Sequence, residues 1–316
     1  MNIVLPDSDT LGKGLDFSVL EKFGKVRILG YTPQEKVGDV LADCDIAIIN
    51  KTKMNEKSLK NAKNLKLICV FATGFDNVDI AYCRERGIAV CNVTGYSTDS
   101  VAQLTFTMAL AIANHLKEYT DFVKSGAYTK SGIQNHLEPQ FYELCGKTWG
   151  IIGGGNIGGR VAEIAKAFGC EVIVNKRTPR KKYTCVSVDE ICEKSDIISL
   201  HVPLTPETES LINAERLKKM KKTAILINAA RGAVTDEAAV AEAVLNGKIG
   251  GFGTDVYSVE PLQAGHPFYK IMDLPNVCLT PHMGWGAYEA RVRCLNEIEK
   301  NISAFLSGKI RNRVDL

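Results

Sequence analysis

Short apolar runs alternate with helical patterns along most of the chain. In the first part, the runs Asn2–Leu5, Val26–Leu29, Ile46–Ile49, Leu67–Val70 and Ile88–Cys91 predict strands, with helices between them at 17–23, 34–42, 55–63 and 78–86. A second series begins at Trp149. Its strands are expected at Trp149–Ile152, Val172–Asn175, Ile197–His201, Ala224–Asn228, Gly250–Thr254 and Val277–Thr280. Continuously apolar strands separated by helices imply parallel sheets covered on both faces, so the fold class is α/β with doubly wound layers.

Between the two series, Ser100 and Gln103 form a plausible capping box opening an apolar helix that runs to about Leu116. Apolar on more than one face, that helix belongs between layers or at a subunit contact. Residues 125–145 lack periodicity and read as a loop over a cleft or an interface. A last helix, Ala287 to Leu306, presents Val292, Leu295, Ile298, Ile302 and Leu306. It is expected to return to the first domain, because residues 1–98 end too early to cover their own sheet.

At 316 residues the chain suits two domains. A net charge of +3, from 39 basic and 36 acidic residues spread along the chain, implies no general nucleic-acid surface. The ten cysteines lie far apart, without any Cys-x-x-Cys, and mostly in apolar runs. They read as reduced, buried thiols of a cytoplasmic protein with no metal site. No stretch is long and apolar enough for a signal peptide or a membrane span.

One motif carries direct chemical meaning. The strand ending at Ile152 enters Gly153-x-Gly155-x-x-Gly158, and a helical pattern leaves it. In that setting Gly153 permits the turn, Gly155 lets backbone approach a pyrophosphate, and Gly158 lets helix pack on strand, with Asn156 and Ile157 at the helix start. A dinucleotide is the expected ligand.

Further motifs follow in order: His201-Val-Pro-Leu-Thr-Pro206, Asn228-Ala-Ala-Arg231-Gly232, Asp255-Val-Tyr-x-x-Glu260-Pro261 and Thr280-Pro-His282. With Phe71-Ala-Thr-Gly74 and Asn92-Val-Thr-Gly95 in the first half, the chain resembles the D-isomer-specific 2-hydroxyacid dehydrogenases nearly end to end. Residues 281–291 look like the hydroxypyruvate reductase (glycerate dehydrogenase) branch. The resemblance implies a flavodoxin-like substrate domain, 1–99 plus 288–316, around an inserted Rossmann domain, 100–287, with the active site in the cleft and a homodimer formed by the Rossmann domains. It also implies cofactor contacts by the 201–203 segment (His201, Val202, Pro203), Ala229, Ala230 and Asp255, and substrate contacts by the backbone of Thr73 and Gly74.

Reducing a 2-keto acid takes a hydride donor, a proton donor and a cation for the carboxylate. His282 is the candidate acid and base, and Glu260 its partner, favouring the imidazolium. Arg231, following an apolar strand, offers a planar fork suited to a carboxylate and a neighbouring carbonyl. The reading is therefore an NAD(P)H-dependent reductase of a small 2-keto acid such as hydroxypyruvate or glyoxylate. Alternatives are a nucleotide-sensing corepressor of the same fold, or a relative acting on phosphoglycerate, phosphonate or formate.

One position departs from pattern. After Val172–Val174 an Asp or Glu should hold the adenosine ribose of NAD. Asn175, Lys176 and Arg177 stand there, with Arg180, Lys181 and Lys182 behind. Cations in place of the acid favour NADP over NAD, while a solvated basic turn would tolerate either.

Overall fold

The computed structural model describes residues 1–178 and 182–316. They form two compact units, Met1–Ser97 with Trp285–Leu316, and Thr98–Gly284.

The first unit holds five parallel strands, β1 (Asn2–Leu5), β2 (Lys25–Ile28), β3 (Ile46–Ile49), β4 (Leu67–Val70) and β5 (Ala89–Cys91), in the order β2-β1-β3-β4-β5. That is the flavodoxin-like order. The two-residue period of a strand divides the apolar runs between the faces. Ile46, Ile48, Leu67 and Cys69 meet Ala290, Cys294, Leu295, Ile298 and Ile302 of the helix Tyr288–Leu306. Ala47, Ile49, Ile68 and Val70 face the opposite way, toward Val37, Leu41, Leu59 and Cys83.

Helices between these strands depart from their patterns in type or length. Residues 17–23 are a 3-10 helix, and the 34–42 pattern resolves into Gln34–Lys36 (3-10) and Val37–Val40. The 55–63 pattern yields only Glu56–Leu59, begun by a reciprocal Asn55–Ser58 capping box, and 78–86 yields Ile80–Glu85. Leu41 and Ala62, just past two of these helix ends, are still fully buried, so turns carry part of the packing that the patterns assign to helices.

The second unit carries seven parallel strands: β6 (Thr148–Ile152), β7 (Glu171–Asn175), β8 (Thr184–Cys185), β9 (Ile197–Leu200), β10 (Ile225–Asn228), β11 (Gly251–Thr254) and β12 (Val277–Leu279). Their order, β12-β11-β10-β9-β6-β7-β8, reverses between β6 and β9. This is the doubly wound dinucleotide-binding topology, in which ligands bind beyond the carboxyl ends of the strands near the reversal. The edge strand β8 escapes the sequence pattern because it has only two residues and one of them is exposed.

The helix before β6 differs from expectation at both ends. It runs Thr98–Ala113, so Ser100 lies inside its first turn rather than ahead of it, and its hydroxyl donates to the Gly284 carbonyl. The chain then breaks at His115, whose φ of 50° is left-handed, and a separate helix Leu116–Lys124 follows with no buried residue. Within the 125–145 loop lies a further short helix, Ala127–Ser131. The long helix itself buries Ala102, Leu104, Phe106, Met108, Ala109 and Ile112 against Trp149, Ile151, Ile225 and Ile227.

Candidate active site

The glycine turn follows β6 directly. Gly153 sits at φ 104°, and a side chain there would overlap the His201 carbonyl oxygen at 2.4 Å. A side chain on Gly158 would meet the Gly153 carbonyl oxygen at 2.0 Å, so only glycine lets the helix Asn156–Ala167 approach the turn this closely. A Cβ on Gly155, by contrast, would meet nothing within 4 Å. Open space therefore adjoins the helix N-terminus formed by Asn156 and Ile157, whose unpaired N–H groups suit phosphate.

At the end of β7, the Asn175 amide donates to the Val186 carbonyl (3.0 Å) and Lys176 Nζ donates to the Gly154 carbonyl (2.7 Å). Lys176 thus folds over the glycine turn, while Arg177 is exposed beside it. Lys182 pairs with Glu163 at 2.9 Å. The other basic positions of this cluster, 180 and 181, lie outside the described residues.

Beyond β9 stands His201, in front of Val202 and Pro203. Part of the residue is accessible, yet both ring nitrogens are buried and neither has a hydrogen-bond partner among the described residues. Burial pushes its imidazole down to about 3. A neutral, unsatisfied ring beside the glycine turn is a group that a polar ligand can complete. The family resemblance places the 201–203 segment along the cofactor, but burial of both ring nitrogens without partners is not legible in the sequence.

The next three strand ends carry the ionisable residues. After β10, the buried Asn228 side chain accepts from the Ala230 N–H (3.0 Å) and donates to the Arg231 carbonyl (2.9 Å), closing a turn through Ala229 and Ala230. Arg231 Nη1 donates to the Ala230 carbonyl at 2.9 Å. Gly232 is then overlaid by the Tyr257–Ser258 backbone: a Cβ there would lie 1.9 Å from the Tyr257 carbonyl carbon.

After β11 comes Asp255, 4% exposed. Its Oδ1 accepts from Thr280 Oγ1 (2.7 Å) and the Met283 N–H (2.8 Å), and its Oδ2 from the Gly284 N–H (2.7 Å). The carboxylate thus clasps the turn that bears His282. That histidine adopts φ 55°, a left-handed conformation uncommon outside glycine, and its Nδ1 lies 2.6 Å from Glu260 Oε2. The other carboxylate oxygen of Glu260 accepts from the Tyr257 N–H at 3.2 Å. Tyr257 donates its hydroxyl to the Thr280 carbonyl (3.0 Å), and burial, with the charges of Asp255 and Glu260 nearby, pushes its phenol up to about 12. His282 and Glu260 are 23% and 28% exposed, which leaves the pair reachable by a small molecule.

Arg231, Asp255, Glu260 and His282 therefore all leave the carboxyl side of the successive strands β10, β11 and β12 within one unit. Thr73 and Gly74 belong to the first unit, in the turn after β4. There the Thr73 hydroxyl donates to the Val93 carbonyl and the Asn92 amide to the Thr73 carbonyl, each at 2.8 Å. Chemically, an imidazole bonded to a carboxylate can hold and transfer a proton, and a guanidinium can hold a carboxylate. Among the described residues no helix is long and apolar enough to cross a membrane.

Comparison with known proteins gives a consistent answer. Residues 106–284 match the family described as "D-isomer specific 2-hydroxyacid dehydrogenase, NAD binding domain". The chain is 40% identical over 285 residues to a glycerate dehydrogenase of Methylorubrum extorquens, covering 90% of each. It is 33% identical to a hydroxypyruvate reductase of Blautia hydrogenotrophica over the whole of both chains. Among solved structures, a D-lactate dehydrogenase from Aquifex aeolicus complexed with NAD and lactic acid aligns with a TM-score of 0.86 and 31% identity, covering 100% of this chain and 99% of that one. Family match, near-complete coverage by relatives and shared topology together establish that the chain belongs to the D-isomer-specific 2-hydroxyacid dehydrogenases, enzymes that work with a nicotinamide dinucleotide.

Proposed function

We propose that this enzyme reduces a small 2-keto acid of the hydroxypyruvate or glyoxylate type to the D-2-hydroxy acid. The observation that carries the reading is the 2.6 Å contact between His282 and Glu260, on a loop that also rests against Gly232 beside Arg231. When bound, the reduced nicotinamide supplies the hydride. Protonated His282 gives its proton to the carbonyl oxygen as that oxygen gains charge, and Glu260 stabilises the imidazolium beforehand. Arg231 binds the substrate carboxylate and the same carbonyl oxygen through its planar fork, with the backbone N–H groups of Thr73 and Gly74 assigned to the carboxylate by the family resemblance. Val202, Pro203, Ala229 and Ala230 are assigned to the cofactor's nicotinamide half. Asp255 retains about one lone-pair site, on Oδ2, to meet the nicotinamide amide, besides its three contacts to the 280–284 turn.

The small substrate is favoured by the relatives, which include glycerate dehydrogenase, hydroxypyruvate reductase and glyoxylate reductase. NADPH is the favoured donor, since Lys176 and Arg177 stand where an NAD enzyme would place a carboxylate. A homodimer is favoured by the exposed Leu116, Val123, Ile133, Leu137, Phe141 and Tyr142 on the segment before β6. The ten cysteines form no disulfide among the described residues, which suits a reducing, cytoplasmic setting. The test is a matrix of 2-keto acids against NADH and NADPH with purified protein. Lack of turnover of hydroxypyruvate and glyoxylate with both donors would sink the substrate assignment.

A further inference from the structure

A second histidine–carboxylate pair lies behind the first. Glu237 opens the helix Glu237–Leu245, yet it is Asp236 that caps this helix, accepting from the Ala239 N–H at 3.0 Å. The Glu237 side chain turns away instead and is 10% exposed. One of its oxygens accepts from the Ser258 N–H (2.8 Å), and the other from the Ser258 hydroxyl and from His266 Nε2 (2.9 Å). His266, 8% exposed, accepts the Phe268 N–H on Nδ1 at 3.2 Å. That bond assigns the proton to Nε2, so the imidazole is a donor toward Glu237.

All three partners of Glu237 are thus donors, and they sit at the two ends of one loop. Ser258 and His266 bracket Glu260, so a single buried carboxylate closes the segment that carries the partner of His282. The adjoining backbone takes part as well. The Tyr257 N–H donates to Glu260, the Tyr257 hydroxyl reaches the Thr280 carbonyl, and the Tyr257–Ser258 peptide lies on Gly232. The Tyr257 ring packs edge-on to His266 at 6.2 Å between centroids. The charged and titratable groups around the loop include Glu237, His266, Tyr257, Asp255, Glu260, His282 and Cys278, with Arg231 next to Gly232.

We propose that Glu237 is a positioning residue: by holding Ser258 and His266 it sets the carboxylate of Glu260 against His282. This rests on the reading of His282 and Glu260 as the proton-handling pair. A glutamine at 237 keeps the shape but presents an NH2 group to partners that are themselves donors, so at least one contact is lost. The loop then relaxes and Glu260 supports the imidazolium less well.

The test compares wild type, Glu237→Gln, Glu260→Gln and the double variant, measuring the pH at which the reduction rate falls to half, kcat, and cofactor affinity. Glu237→Gln is expected to lower that pH in the direction of Glu260→Gln but by less, with kcat roughly 10-fold down and cofactor affinity unchanged. In the Glu260→Gln background it should cause no further displacement, because there is no longer a carboxylate to position. An unmoved midpoint in Glu237→Gln, or the same displacement in both backgrounds, overturns the proposal. If Glu260→Gln itself leaves the midpoint in place, the acid–base reading falls and takes this one with it. Should Glu237→Gln fail to fold, Ser258→Ala carries the test: a smaller displacement in the same direction supports the proposal, and none overturns it.

Discussion

His282 meets Glu260 at 2.6 Å from a backbone held at φ 55°, so the geometry of the pair depends on a conformation that histidine does not favour by itself. Such a residue costs about 1–3 kcal/mol and persists only where its surroundings impose it. His282→Ala is therefore expected to abolish turnover and spare dinucleotide binding, read from initial rates and a cofactor titration. In Glu260→Gln the rate of reduction should fall off at lower pH than in wild type. In the proposed mechanism reduction needs the protonated ring, and the variant has lost the carboxylate that faces it. Superimposable pH–rate curves would remove Glu260 from the mechanism.

Asp255 supplies much of that imposition. In Asp255→Asn one carboxylate oxygen becomes an NH2 group facing an N–H or hydroxyl donor, and the 280–284 turn loses a bond. A stability loss of about 1–3 kcal/mol is expected, with a lower denaturant midpoint at unchanged slope. Turnover should fall with it, since His282 sits on the released turn. Wild-type stability in this variant would show that the lost contact contributes nothing net.

His201 makes the protein acid-sensitive. Its imidazole ionises near 6.5 in the unfolded chain, but burial holds it to about 3 in the folded one. Between those values the unfolded state binds more protons, so the contribution is constant above 6.5 and stability is lost as pH falls through the window, by up to about 1.4 kcal/mol per unit. For the cofactor-free protein, His201→Gln should flatten the fall in denaturant midpoint between pH 6.5 and 4.5. The same slope in both proteins would mean that the ring is hydrated or paired in solution.

Cofactor choice is testable at the end of β7. Arg177→Asp places a carboxylate close to where the ribose hydroxyls of NAD would be held, and removes a cation suited to a phosphate. The ratio of kcat/KM for NADPH to that for NADH should drop by about 10-fold or more, equivalent to the loss of one charged contact. An unaltered ratio would leave the basic turn as solvated surface.

Strands were the legible part of this molecule, because buried parallel strands are written as unbroken apolar runs. The 46–49 and 67–70 runs and their structural counterparts coincide residue for residue. Helix ends were less so. The break at His115 rests on one left-handed residue with no glycine to announce it, and Ser100 resembled a cap because its true partner, Gly284, lies 184 residues away. In the site, the residues found from sequence were those sitting in motifs. Glu237 and His266 went unnoticed because each looks ordinary alone: an acid in the first turn of a helix, and a histidine before Pro267. Their meaning lies in a contact spanning 29 residues, which no local pattern encodes.

The arrangement of the strand ends also bears on how such proteins diversify. The glycine turn, the arginine loop and the paired imidazole and carboxylate all fall within one uninterrupted stretch, Thr98–Gly284. A recombination event that moves this stretch would carry the proposed proton-handling pair in one piece.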